Sequence, residues 1–246
     1  MSPLAGVSTL LCDADGTLFP SEEPAYAASA DVTNRFVAGL GADRPYTPSE
    51  LQSMTNGKNF RAAAGQLAAG YGRTLDPDDL DRWVGEEKDV VTAHLRTVLR
   101  PDPAVADPLH ALAGSFGLAA VTSSARSRLD ACLDVTGLAP LFEPGRRYSA
   151  EDSLPVPTSK PDPAVYAFAL QDLGVTPDEA VAIEDSLNGA LSATAAGVRT
   201  IGIVVFVPAH EQDERAAGLR EAGCSDVVSG WAELSDLLGV PPSSAG

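Results

Sequence analysis

From about residue 101 onward, the sequence alternates between short apolar runs and longer amphipathic segments. The runs "GLAAVTSS", "AVAIEDS" and "RTIGIVV" predict strands, and the first two pass into loops at their ends. The segments "RSRLDACLDVTGL", "PAVYAFALQDLGV" and "LNGALSATAAGV" predict helices, as does Ala106 to Gly114. Such alternation favours an α/β fold, in which a mostly parallel sheet is covered by helices on both faces.

One more predicted strand lies near the N-terminus. Val7 to Cys12 form a short apolar run, which ends at the acidic and glycine-containing loop Asp13 to Thr17. From about Ser21 to Leu99 the pattern is instead helical, with almost no strand signal. Within this block, "DPD" at residues 76–78 is expected to begin the third helix, with a cap and a proline in its first turn.

The sequence therefore predicts two domains. Residues 1–20 and 100–246 form the α/β core domain, and residues 21–99 form an inserted α-helical cap domain. Open α/β sheets bind ligands at the carboxyl ends of their strands, so an insert placed after the first strand is expected to act as a lid there.

Composition excludes several classes of function. Among 246 residues the formal net charge is -17, so the basic face expected of a nucleic-acid-binding protein is missing. The three cysteines are far apart and match no metal-ligand spacing, which indicates a reducing compartment. No signal peptide and no apolar run of membrane-spanning length is visible. We expect a cytoplasmic protein that is a monomer or weak homo-oligomer, with no nucleic-acid or membrane partner.

Polar side chains stand at predicted strand ends or helix starts in four separate places. These are Asp13 with Asp15, Thr122, Lys160, and Glu184 with Asp185. Each alone has an ordinary structural explanation, such as a loop cap, a turn hydroxyl or a solvated charge. Together they supply a nucleophile, ligands for a cation, donors for phosphate oxygens and a proton carrier, which are the parts that phosphoryl transfer needs.

The residue types allow each part to be assigned. Asp13 can be the nucleophile that forms an aspartyl-phosphate, and Asp13 with Asp185 can bind Mg²⁺, which prefers oxygen ligands. The Thr122 hydroxyl and Lys160 can hold the transferring phosphoryl oxygens. Asp15 can protonate the leaving oxygen and then activate water for the second step.

On these motifs the chain resembles the haloacid dehalogenase (HAD) superfamily, subfamily I, with a helical cap between the first two motifs. The four motifs are "DADGT", "LAAVTSS", "SKPDP" and "IEDSLNG". The stretches "KPDPAVYAFAL", "GVTPDEAVAIEDS" and "SATAAGV" are most similar to the branch of sugar-phosphate phosphatases and β-phosphoglucomutases. The resemblance, which covers essentially the whole chain, implies a Rossmann-like core, a Mg²⁺ cofactor and a small phosphorylated substrate.

The resemblance also implies a role for each motif residue. Asp13 would attack phosphorus, and Asp15 would be the general acid and base. The implied metal site uses Asp13, the backbone carbonyl of Asp15, and Asp185, with Glu184 orienting metal-bound water. The implied phosphate-binding residues are Thr122, Ser123 and Lys160.

Position 15 favours phosphate-ester chemistry within this family. Similar dehalogenases have tyrosine there and phosphonate-cleaving relatives have alanine, whereas the Asp15 carboxyl can give an alkoxide leaving group its proton. β-Phosphoglucomutases carry a histidine in the linker after the first motif, where this chain has Ala25. The leading hypothesis is a Mg²⁺-dependent phosphatase that hydrolyses a small phosphate monoester, such as a sugar phosphate. The alternatives are a β-phosphoglucomutase-like phosphomutase and a non-catalytic phospho-ligand binding protein.

The cap is expected to select the substrate. "TNGKNFR" is a polar, glycine-containing entry to an apolar helix, so Lys58, Asn59 and Arg61 are candidates for binding hydroxyls or a second anion. A loop with a solvated helix start explains the same residues equally well. Ser124 and Arg126 are weaker candidates next to Thr122.

Overall fold

The computed structural model describes residues 6–55 and 59–240, without the side chains of Gln52 and Thr55. It divides the chain into two compact units. The first, called the core unit here, comprises Met1–Pro20 and Arg100–Gly246. The second, called the helical unit, comprises Ser21–Leu99.

The core unit is built on a six-stranded sheet in which every neighbouring pair of strands is parallel. Its strands are β1 (Thr9–Cys12), β2 (Gly117–Thr122), β3 (Arg147–Ser149), β4 (Ala180–Glu184), β5 (Arg199–Ile203) and β6 (Asp226–Val228). Their order across the sheet is β3-β2-β1-β4-β5-β6. The predicted α/β, Rossmann-like class with a mostly parallel sheet is confirmed.

Strand β1 lies at the centre of this order and pairs on both sides. Thr9 is opposite Gly117 of β2 and Ala180 of β4, and the register continues to Cys12. The carboxyl ends of β1, β2 and β4 therefore lie side by side. The strand order reverses at β1, and such a point is where open parallel sheets leave a crevice for ligands.

Six α-helices are described in the core unit, and the first four correspond to helices predicted from the sequence. They are α5 (Pro103–Ala113), α6 (Arg126–Thr136), α7 (Ala164–Leu173), α8 (Leu187–Ala195), α9 (Gln212–Glu221) and α10 (Trp231–Leu237). Helix α5 begins three residues before the predicted Ala106, because the Asp102 side chain accepts from Ala104 N and Pro103 fits the first turn. Helices α6 and α7 end at glycines in the left-handed conformation.

The strands are apolar where α7 covers the sheet, as burial under a helix requires. Leu11, Val121 and Ala182 from three adjacent strands pack in one cluster with Val165 and Tyr166 of α7. Strand β3, "RYS", was not predicted, because three residues with polar ends give no apolar run.

The helical unit contains α1 (Glu22–Leu40), α2 (Pro48–Thr55), α3 (Phe60–Gly70) and α4 (Pro77–Val98). Its core packs Phe36 and Leu67 with Trp83, whose ring meets that of Phe36 edge-on at 5.7 Å. Asp76 caps α4 through Asp78 N and Asp79 N. The predicted helix start at Asp76, with its cap and its proline, is confirmed. The helix is the fourth of the unit rather than the third, because the eight residues of α2 are too few to show a clear helical period.

The three cysteines, Cys12, Cys132 and Cys224, are buried free thiols. Within residues 6–55 and 59–240, no helix combines the length and the apolar character that crossing a bilayer requires.

Replacing Leu11 by alanine should reveal how far stability depends on the central strand. Leu11 is fully buried, so Leu11→Ala should lower the free energy of unfolding by about 2–5 kcal/mol through lost burial and a residual cavity. Leu237→Ala removes the same atoms from a side chain that is 40% exposed. This substitution should change the free energy of unfolding by only about 0.5 kcal/mol. Urea unfolding followed by circular dichroism measures both, and equal losses would contradict the central position of β1.

Candidate active site

The polar residues predicted to act together follow three adjacent strands. Asp13 comes directly after β1, Thr122 is the last residue of β2, and Glu184 is the last residue of β4. The backbone N–H of Asp13 still donates to Ile183 O at 2.9 Å, so the sheet ladder fixes the start of the Asp13 loop. The three side chains are thus delivered to one edge of the sheet.

The loop after Asp13 turns sharply at Gly16. Gly16 has φ +84°, a left-handed conformation that favours glycine, and its N–H donates to Phe19 O at 3.0 Å. A Cβ at this position would also overlap the carboxylate of Asp185. Both the turn and the close approach of Asp185 therefore require glycine at position 16.

Lys160 is the centre of a buried ion cluster. Its Nζ donates to Asp13 Oδ1 at 2.5 Å, to Glu184 Oε1 at 2.7 Å and to Val121 O at 2.8 Å. An ammonium group has three N–H donors, so all three are used. Burial alone would lower the pKa of Lys160, but the Asp13 and Glu184 carboxylates raise it above its usual range, and the side chain stays charged.

Burial and neighbouring charges have opposing effects on the pKa of the Asp13 carboxyl group. Its burial raises its pKa to about 8, with Glu184 and Asp15 adding to the rise and Lys160 opposing it. Asp13 Oδ2 and Glu184 Oε2 are buried and have no hydrogen-bond partner among the residues that the structure describes. A positive charge placed beside them would favour the ionised form of Asp13.

Asp185 completes an acidic group around this point. One oxygen from each of Asp13, Glu184 and Asp185 lies within 4.8 Å of the others. All three are buried, and Lys160 contacts Asp13 and Glu184, so the carboxyl groups here outnumber the ammonium group that holds them. A buried group of acidic oxygen donors that includes the unpartnered Glu184 Oε2 fits a divalent cation such as Mg²⁺.

Two further groups hold Asp185 in place. The Thr17 hydroxyl donates to Asp185 Oδ1 at 3.3 Å. Arg215 of α9 donates to the backbone carbonyl of Asp185 at 2.8 Å and lies 3.7 Å from its Oδ2. Arg215 was not predicted, because a single arginine in a polar helix is usually a solvated charge.

Asp15 lies in a different environment from Asp13. The hydroxyls of Ser124 and Thr122 donate to Asp15 Oδ2 at 2.8 and 3.3 Å. Ser124, a weaker candidate by sequence, thus contacts the predicted acid/base directly. The predicted phosphate binder Ser123 accepts from Lys160 N at 3.1 Å through its hydroxyl, which ties the two loops together.

Tyr166 also reaches the ion cluster, although no sequence pattern singles it out. Its hydroxyl donates to Glu184 Oε1, and its ring centroid is 5.1 Å from Lys160 Nζ. Burial, followed by the charge of Glu184, raises the pKa of Tyr166 far above its usual range, so the hydroxyl keeps its proton. A tyrosine inside the apolar stretch "AVYAFAL" resembles any core residue, and only the fold shows its polar end.

Two of the three predicted cap residues, Asn59 and Arg61, have local partners within the helical unit. Asn59 caps α3, its side chain accepting from Ala62 N at 3.0 Å. Arg61 pairs with Asp81 at 2.6 Å. Lys58 lies outside the described residues, and substrate binding by these three side chains stays a prediction.

Comparison with known proteins assigns most of the chain to one protein family. A family model described as haloacid dehalogenase-like hydrolase matches residues 7–197. CbbY of Cereibacter sphaeroides is 31% identical over 238 residues, covering 95% of this chain and 96% of CbbY. A phosphoglycolate phosphatase of Pseudomonas putida is 30% identical over 205 residues, covering 79% of this chain and 68% of that protein.

A solved structure is similar over the same length. A CbbY mutant from Rhodobacter sphaeroides, crystallised in complex with xylulose-(1,5)bisphosphate, is 28% identical to this chain. The superposition has a TM-score of 0.64 and covers 96% of this chain and 99% of that one.

A glycine on α8 gives a test of how tightly the ion cluster is packed. A Cβ at Gly189 would overlap the carboxylate of Glu184, so Gly189→Ala should displace Glu184, destabilise the fold and reduce activity at least about tenfold. Gly65→Ala is the matched control, because a Cβ on that helical glycine meets no atom within 4 Å. It should be neutral or stabilising by up to about 1 kcal/mol. Thermal unfolding and turnover measure both, and unchanged activity in Gly189→Ala would contradict the packing described here.

Proposed function

The chain belongs to the haloacid dehalogenase-like hydrolases, and from that premise we propose that it is a Mg²⁺-dependent phosphatase whose Asp13 is phosphorylated in each turnover. The observation that carries this proposal is the environment of Asp13. One of its oxygens is held by Lys160, while the other is buried without a hydrogen-bond partner among the described residues. A carboxylate oxygen that is fixed in place and gives no lone pair to a donor suits nucleophilic attack.

In the first step an oxygen of Asp13 attacks the phosphorus of the ester, and the bond from phosphorus to the leaving oxygen breaks. Asp15 gives its proton to that oxygen, so the product leaves as a neutral alcohol. The hydroxyls of Ser124 and Thr122 aim the Asp15 carboxyl through its Oδ2. Lys160 supplies positive charge beside Asp13, where the negatively charged phosphoryl group is transferred.

In the second step Asp15 takes a proton from water, whose oxygen attacks the phosphorus of the aspartyl-phosphate. Inorganic phosphate leaves and the Asp13 carboxylate is restored. The acid of one step is the base of the next, so a single carboxyl two residues from the nucleophile serves both. Thr122 and Ser123 are the proposed hydroxyl donors to the phosphoryl oxygens, and Thr122 would release its 3.3 Å hydrogen bond to Asp15 in order to donate there.

Asp13, Glu184 and Asp185, with the backbone carbonyl of Asp15, are the proposed Mg²⁺ ligands. A bound Mg²⁺ supplies positive charge that reduces the repulsion between the carboxylate and the phosphate. Lys160 has no spare N–H, so its proposed contact with a phosphoryl oxygen requires that one of its three acceptors be released.

Small phosphorylated sugars and acids are the proposed substrates. Two relatives support this class: one is named a phosphoglycolate phosphatase, and a CbbY mutant is seen in complex with xylulose-(1,5)bisphosphate. Hydrolysis is preferred to phosphomutase activity because Ala25 stands where the mutases carry a histidine. A panel of such esters, with β-glucose 1-phosphate included, separates the two, since a mutase would form glucose 6-phosphate with little free phosphate.

Replacing the nucleophile tests the covalent step. With Mg²⁺ present, Asp13→Asn should lower phosphate release at least about a thousandfold on every ester that the wild-type protein hydrolyses, because an amide does not attack phosphorus. Asp134→Asn, at an exposed position of α6, is the matched control and should keep wild-type rates. Chelation should abolish wild-type activity and added Mg²⁺ should restore it. Equal rates in the Asp13 variant and the control would refute the mechanism.

The role of Asp15 can be separated from that of Asp13 by varying the leaving group. In Asp15→Asn, release of alcohol from an alkyl phosphate should slow by about 10²–10⁴-fold, since the alkoxide needs a proton. The burst of 4-nitrophenolate from its phosphate ester should slow far less, because that anion leaves unprotonated. Rapid-quench kinetics on both esters measure the difference, and equal slowing would assign Asp15 another role.

A further inference from the structure

Tyr166 has two contacts with the ion cluster and none of the roles assigned so far. It lies on α7, six residues after Lys160, and its side chain is fully buried. Its hydroxyl donates to Glu184 Oε1, and its ring centroid lies 5.1 Å from Lys160 Nζ. One side chain therefore touches both the proposed cation ligand and the residue that bridges to the nucleophile.

We propose that Tyr166 is a positioning residue that fixes the carboxylate of Glu184 for cation binding, and that its hydroxyl rather than its bulk is what the site needs. This inference rests on the proposed function, because it assumes that Glu184 binds Mg²⁺ or orients its water.

Glu184 has a limited supply of hydrogen-bond donors. Within the described residues, two side chains donate to this fully buried carboxylate, Lys160 and Tyr166. Lys160 divides its N–H groups among Glu184, Asp13 and Val121 O. Tyr166 is thus the donor that serves Glu184 alone, and without it a buried carboxylate keeps one shared partner.

The space around Glu184 is also restricted. On the side of α8 the carboxylate lies against Gly189, where even a Cβ would overlap it. Glu184 Oε2 has no partner in the described part of the chain. Contact with Gly189 restricts the carboxylate sterically but does not orient its oxygens, whereas a hydrogen bond to Oε1 does both.

The ring has a separate effect, which can be kept while the hydroxyl is removed. A cation within about 6 Å of an aromatic centroid is attracted to the ring, and Lys160 Nζ meets this condition. Tyr166→Phe keeps the ring and its packing in the apolar cluster. Tyr166→Phe therefore removes only the contact with Glu184.

Another buried tyrosine supplies a matched control. Tyr148 belongs to the same apolar cluster and is 3% exposed, and its hydroxyl also donates to a carboxylate, Asp172 Oδ2, at 2.9 Å. Its hydroxyl has its other described contact with Gly145 O, away from the proposed metal ligands. Tyr148→Phe removes the same atom from the same core, so it reports what loss of a buried hydroxyl does to stability alone.

The test measures Mg²⁺ affinity by isothermal titration calorimetry on metal-free protein, along with steady-state kinetics and thermal unfolding. Tyr166→Phe should raise the dissociation constant for Mg²⁺ about tenfold, in line with the loss of a partner that orients a metal ligand. Its kcat should fall at low Mg²⁺ and recover as Mg²⁺ is raised, with KM for the ester changed less than about threefold. Tyr148→Phe should match the wild type in Mg²⁺ affinity and kcat.

The outcomes separate this inference from the proposed function. If wild-type protein binds Mg²⁺ and hydrolyses esters but Tyr166→Phe does so equally well, the positioning role is refuted and the phosphatase proposal stands. The positioning role is likewise refuted if Tyr166→Phe loses activity that no Mg²⁺ concentration restores while its Mg²⁺ affinity is unchanged. If the wild type neither binds Mg²⁺ nor releases phosphate, both proposals fall.

Discussion

The core unit depends on the burial of several charges around one ammonium group. Taking a carboxylate out of water costs several kcal/mol unless it is paired and hydrogen-bonded. Lys160 meets that need for Asp13 and Glu184 at once, at 2.5 and 2.7 Å. Asp185 is buried beside them and adds a third carboxyl group, which Arg215 approaches to 3.7 Å. The compensation is enough to hold the carboxylates inside the fold and leaves an electrostatic deficit that a divalent cation can fill.

The sheet topology explains how one lysine reaches two carboxylates from distant parts of the chain. Because β1 lies between β2 and β4, Asp13 and Glu184 leave neighbouring strands at the same edge. Lys160 comes from the loop between β3 and α7, which is fastened at two points. Ser123 accepts from Lys160 N at 3.1 Å, and the buried Ser192 hydroxyl of α8 donates to Asp162 O at 2.6 Å. The ion cluster thus joins segments that the sheet alone would not hold together.

Much of this arrangement could be predicted from sequence, for a physical reason. An apolar run that stops at polar residues marks both a buried strand and its end, so "LLCDADG" and "AVAIEDS" predict position and chemistry together. The parallel class follows from the alternation with helices. Helix α2 and strand β3 were missed because they are too short to show a period. Their absence from the prediction altered the count of elements but left the fold class intact.

Residues whose polar atom lies at the end of an apolar body are harder to predict. Tyr166 and Trp231 both lie in helices where their rings pack, and sequence alone assigns them to the core. Yet the Tyr166 hydroxyl reaches Glu184, and Trp231 Nε1 donates to Thr17 O at 3.0 Å, within the loop that follows Asp13. Periodicity indicates that such a ring is buried, but the partner of its one polar atom depends on long-range packing.

The contrast between Asp13 and Asp15 shows how two identical side chains, two residues apart, acquire different chemistry. Asp13 is buried between the Lys160 ammonium and other carboxyl groups, and burial raises its pKa. Asp15 is more accessible and receives neutral hydroxyls from Ser124 and Thr122. The two hydroxyl donors orient the carboxyl group, which suits a group that must meet first the leaving oxygen and then water. Asp13 directly follows β1, whereas Asp15 lies in the loop that turns at Gly16, so the division of roles follows from backbone position as well as from residue type.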